Sequence, residues 1–76
     1  MELKDFIDNF AAQMEETDPA EIQATTVFRD LDEWSSLSAL SILAMVDEEY
    51  DVTLKGEDMK AAKTVEDLYN IVKSKL

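Results

Sequence analysis

The sequence predicts an all-α fold, and three observations carry that expectation. Only one Gly and one Pro interrupt 76 residues, apolar residues recur at helical spacing in several segments, and alternating β-branched runs are few. Helices joined by short connections follow. The length, with 46% hydrophobic residues, fits a single domain over residues 1–76 that buries only about 60% of what its unfolded chain exposes.

In the first segment Leu3, Phe6, Ile7, Phe10, Ala11 and Met14 make one apolar stripe, while Lys4, Asp5, Asp8 and Asn9 lie elsewhere on the surface. A helix from about Glu2 to Glu15 is expected. The stretch "ETDP" ends it, because the residue before Pro19 is biased out of the helical region and Asp18 can cap a short turn that begins at Pro19. From Ala20 to Trp34 there is no sustained period, only Ile22, Val27, Phe28, Leu31 and Trp34 spaced among polar residues. This reads as a long ordered loop pinned by those side chains, and loops of such length are usually functional.

The second helix is expected from about Ser36 to Glu49 or Tyr50. "DVTLKGEDMKAAK" follows it, with Gly56 read as the breaker and a short helix over Glu57 to Ala62. The last helix has a clear start, since Thr64 is a natural N-cap and Asp67 stands three residues on, a weaker form of the capping box. Val65, Leu68, Tyr69, Val72 and Leu76 form its expected buried stripe, and Lys73 and Lys75 suit its negative end. No repeat or low-complexity tract appears.

Composition removes most catalytic chemistry. The chain has no Cys and no His, so thiolate metal sites, disulfides and the commonest general base are all missing. No metal site is expected, and a carboxylate pair of the glycosidase kind would need a cleft that so small a bundle hardly encloses. The expectation is a protein that is not an enzyme. A net charge of -11 repels nucleic acid and anionic membrane surfaces and steers the chain toward proteins with basic docking faces. "MELKDFIDNF" reads as neither a signal peptide nor a membrane span, which makes a cytoplasmic, non-inserted protein the default expectation.

Helix two has one apolar face more than a core requires. At about 100° per residue, Ala39, Ile42, Leu43, Val46 and Tyr50 share one arc, while Leu37, Leu40 and Ala44 fall on another beside Ser36, Asp47 and Glu48. Either the helix is central and packed on two sides, or the second arc is an exposed patch, rimmed by acids, for docking a protein. The stretch "DEWSSLSAL" puts three serines within four positions at the start of this helix. Ser35 or Ser36 can serve as N-cap, and one cap needs one serine. A phosphate on a remaining hydroxyl there would meet the positive end of the helix.

The order of these features, "FRDL", an aromatic residue, a serine followed by Leu, a helix ending in "DEEYDV", a breaker region and a closing "TVEDLYNIV", resembles the acyl carrier protein family, including its peptidyl carrier relatives. The match covers nearly the whole chain. The resemblance implies a four-helix bundle with three longer helices, one short helix and a long loop between helices one and two. It also implies a covalent 4'-phosphopantetheine arm on Ser36, the serine followed by Leu37, with Ser35 as neighbour or cap. In that reading a phosphopantetheinyl transferase loads the arm. The arm holds acyl or aminoacyl thioesters, and a monomeric carrier delivers them to enzymes of fatty acid, polyketide or related biosynthesis. Leu37, Leu40 and Ala44 would meet apolar spots on these partners, with Asp47 and Glu48 among the guiding acids.

The chain departs from the family in one region. Ser35, Ser38 and Ser41 stand where members commonly carry carboxylates, which removes charge-assisted bonds to an incoming Arg or Lys. A specialised carrier with dedicated enzymes is the expectation, and an unmodified adaptor acting through helix two alone is the alternative. A helical interaction module in which the serines are only caps is a further one. A Ca²⁺ sensor is excluded, because an EF-hand loop needs Gly at its sixth position and Gly56 is the chain's one glycine. Trp34 either anchors the long loop in the core or lies beside the arm, and no residue names the cargo.

Overall fold

A computed structural model describes residues 2–76. Among them the chain forms helices α1 (Leu3–Ala12), α2 (Ser36–Tyr50), α3 (Gly56–Ala61) and α4 (Val65–Ser74), with short 3-10 turns at Pro19–Glu21 and Phe28–Asp30. The expected bundle of three longer helices and one short one is therefore present. α1 packs on α2 and α4, and α3 packs on α4.

Helix α1 is shorter than its apolar pattern suggested. Gln13 and Met14 donate backbone hydrogen bonds three residues back, to Phe10 and Ala11, both at 3.0 Å. The tightened turn ends the helix at Ala12, yet it still turns Met14 into the core. Asn9 is half-buried rather than a surface residue; its amide donates to the Tyr50 hydroxyl at 2.8 Å and so ties α1 to α2. Pro19 opens a 3-10 turn as expected, capped by the Asp18 carboxylate, which accepts from Ala20 N–H at 3.0 Å.

One cluster of buried side chains joins all the helices, centred on Phe6, Phe10, Phe28, Ile42, Val46, Val65, Leu68 and Val72. The long loop contributes Ile22 and Phe28 fully, with Leu31 and Trp34 partly buried against the cluster. Trp34 stacks nearly parallel to Phe10, with centroids 6.4 Å apart, and meets Phe28 at 4.9 Å. Of the two readings of Trp34, the loop anchor holds.

The loop is also held by hydrogen bonds to the start of α4. A helix N-terminus leaves backbone N–H groups unpaired; here Val65 donates to the Thr26 carbonyl and Glu66 to that of Ala24, both at 3.0 Å. Val27 and Thr64 form an isolated antiparallel bridge. The capping box is present as read, with Thr64 Oγ1 accepting from Asp67 N–H and the Asp67 carboxylate accepting from Thr64 N–H, each at 3.1 Å. Those backbone donors, from Thr64 first and then Lys63, hold the Asp67 carboxyl below its ordinary value. Arg29 closes the other side by donating to the Met59 carbonyl at 2.8 Å.

Two further sequence expectations are corrected. Gly56 is not the breaker but the first residue of α3; α2 is ended instead by Asp51, which adopts the left-handed conformation at φ 54°. Val52 and Leu54 then run extended and bury alternate side chains. Leu76 is 64% exposed, because α4 stops at Ser74 and the stripe has no helix to continue on.

Candidate functional site

Helix α2 runs from Ser36 to Tyr50 and its N-cap is Ser35, whose hydroxyl accepts from Ser38 N–H at 3.4 Å. Each serine thus has a distinct environment. The Ser38 hydroxyl donates to the Glu33 carbonyl at 2.9 Å, and Ser41 is half-buried. Ser36 is exposed, and among the described residues its hydroxyl has no hydrogen-bond partner. Nothing restrains that oxygen.

The two helix starts differ in a way that bears on anion binding. At α4 the free N–H groups are taken up by the loop and by Thr64. At α2 the N–H groups of Ser36 and Leu37 have no partner among the described residues. These donors and the positive helix end suit a phosphate held on the adjacent hydroxyl. The residues present therefore fit the phosphate end of a phosphopantetheine group.

The second apolar arc of α2 is exposed. Leu37 is 75% and Leu40 59% accessible, and Ala44, Asp47 and Glu48 are exposed with them. The reading in which α2 is packed on two sides is overturned. The inward arc carries Ile42 and Val46, fully buried, and Ala39, Leu43 and Tyr50 partly so. It is wider than the sequence reading placed it, because Met45 is buried as well.

Two open grooves flank the start of α2. One, of about 380 Å³, is lined by Glu16, Thr17, Glu21, Asp30, Asp32 and Glu33 among others. The other, of about 290 Å³, runs past Gln13, Glu33, Leu37, Ser38 and Ser41. Glu33 borders both, and its carboxylate accepts a hydrogen bond from Thr17. That link, unlike the caps, has no signature in the sequence, since sixteen positions separate its partners. Among the described residues no group of acids could hold a metal ion, and no helix is long and apolar enough to cross a membrane.

Fold and surface together define a small acidic helical bundle that presents an apolar strip and a free hydroxyl at one helix start. The family described as phosphopantetheine attachment site matches residues 5–72, and the chain belongs to that family. Comparison with curated proteins and with solved structures gave no significant match. Domains of this family are where 4'-phosphopantetheine is covalently attached. They work with transferases and synthase enzymes and are typically not catalytic themselves.

Proposed function

We propose that Ser36 is the attachment residue and that the chain, as a single carrier domain, takes acyl or aminoacyl groups between enzymes of fatty acid, polyketide or related biosynthesis. The observation that carries this reading is the Ser36 hydroxyl, exposed and unbonded in the first turn of α2. Ser35 and Ser38 are engaged in holding the helix start, which leaves them poorer candidates. When attached, the arm supplies a terminal thiol that holds cargo as a thioester.

The chain's own part is to present, not to catalyse. The Ser36 oxygen bonds the phosphorus of coenzyme A's pantetheine phosphate, adenosine 3',5'-bisphosphate leaves, and the hydroxyl proton passes to the transferase. Leu37, Leu40 and Ala44 give that enzyme an apolar footing, and Asp47 and Glu48 guide its basic side chains. Tethering raises effective concentration, so weak docking suffices for delivery. A cytoplasmic monomer that avoids nucleic acid agrees with the net charge of -11.

The unmodified adaptor remains the rival, favoured by Ser35 standing in place of the family's usual Asp. Incubation of the purified chain with coenzyme A, Mg²⁺ and a pantetheinyl transferase, followed by intact-mass measurement, separates the two. A pantetheine increment in the wild type and Ser35→Ala, but not in Ser36→Ala, supports the carrier. No increment with the native host's transferase favours the adaptor.

A further inference from the structure

We infer that the enzyme face docking on α2 is electrically split, with an uncharged apolar centre and two separate groups of basic side chains at its ends. The inference rests on the reading of Ser36 and α2 given above and specifies the partner, a pantetheinyl transferase dedicated to this chain. From Ser36 to Val46 eleven consecutive residues carry no charge. Within that span Leu37, Leu40 and Ala44 are exposed. Carboxylates stand at both ends: exposed Asp30 and Asp32 with half-buried Glu33 before the helix, and exposed Asp47, Glu48 and Glu49 after it.

Geometry keeps the two acid groups apart. At a rise of about 1.5 Å per residue, Asp47 lies roughly 16 Å along the axis from Ser36. No single Lys or Arg reaches both. A basic side chain set against the centre would be dehydrated there without a carboxylate to meet it, which is costly. At either end the same side chain finds acids that steer and hold it. The uncharged centre therefore rejects a partner with a continuous basic stripe, and the ends orient one whose charge is divided.

The downstream acids also sit where helix energetics disfavour them. Asp47, Glu48 and Glu49 crowd the negative end of α2, and its last turn holds no base. The first turn, where an acid would be stabilising, holds none. Acids that oppose the helix dipole at the end of α2 are accounted for by recognition rather than by folding.

The test introduces a charge at the centre. With the native host's transferase and coenzyme A, kcat/KM for loading is compared for wild type, Ala44→Gln and Ala44→Glu, with helicity checked by circular dichroism. Ala44 is exposed, so either side chain is accommodated without disturbing the core. The expected result is a loss on the order of tenfold or more for Ala44→Glu, well beyond that for Ala44→Gln. An Asp47→Asn/Glu48→Gln double variant is expected to load more slowly and with a flatter salt dependence. Loading of Ala44→Glu at or above the Ala44→Gln rate overturns the split face while leaving attachment at Ser36 standing. Failure of the wild type to gain mass overturns the attachment reading, and this inference with it.

Discussion

The Ser38 hydroxyl donates to the backbone carbonyl of Glu33 at 2.9 Å, binding the first turn of α2 to the segment that leads into it. Ser36 lies between the two partners in sequence, so this bond and the Ser35 cap together fix the backbone that presents its hydroxyl. Ser38→Ala is expected to lower the unfolding free energy by about 0.5–1.5 kcal/mol, the usual net worth of one hydrogen bond. Urea denaturation followed by circular dichroism measures it. An unchanged midpoint would show that the bond does not hold the segment.

Asp51 ends α2 in the left-handed region at φ 54°, a conformation that a side chain makes costly and that glycine adopts freely. Its carboxylate also lies at the negative end of the helix. Both effects point the same way, so Asp51→Gly is expected to stabilise the fold by about 0.5–1 kcal/mol. Thermal and urea unfolding check the sign.

Thr64→Ala removes the N-cap of α4 and is expected to cost about 1 kcal/mol. Its partner Asp67 adds a pH dependence. Backbone hydrogen bonds from Thr64 and Lys63 lower the folded carboxyl below the ordinary 3.8, so its stabilisation is complete above that value and is lost as pH falls through the depressed one. The melting-temperature gap between wild type and Asp67→Asn is expected to stay constant from neutral pH down to the ordinary carboxylate range and to narrow below it. A gap that widens on acidification would contradict the sign.

Phe28→Ala removes a fully buried ring that meets both Phe10 and Trp34. A cost of about 3–5 kcal/mol is expected, a large share of the stability of so small a domain. Trp34 emission reports it, shifting to the red as the loop loses its anchor.

Fourteen of the eighteen acids precede residue 55, whereas five of the seven bases are at or beyond it. Among the described residues one ion pair forms, Lys75 with Asp58 at 3.7 Å, so repulsion among the remaining acids is largely uncompensated. Added NaCl is expected to raise the melting temperature by screening it. A fall with salt would mean that attractive pairs dominate.

What the sequence made legible was what local chemistry encodes. The α2 span and the Asp18 and Thr64 caps each follow from a residue type at a known offset, and the loop's buried Ile22 and Phe28 from their apolar type alone. Helix ends were harder to read. Met14 and Leu76 both continue an apolar stripe, yet one is turned inward by a tightened last turn and the other runs past the end of α4. Gly56 looked like a breaker because glycine often is one, whereas Asp51 does that work by adopting the left-handed conformation.

The site divided along the same line. That α2 has two apolar arcs was evident from spacing, but whether the second is covered depends on packing, and only the exposure of Leu37 and Leu40 decides it. The serines were indistinguishable by type. Their bonds separate them, because Ser35 caps, Ser38 reaches back to Glu33 and Ser36 is left free.

Peptide mapping of the transferase-treated protein bears most directly on this assignment, since fragment masses place a modification on one side chain. A phosphopantetheine mass confined to Ser36 is the expected result. The same mass on Ser35, Ser38 or Ser41, or no added mass after treatment with the native host's transferase, would contradict it.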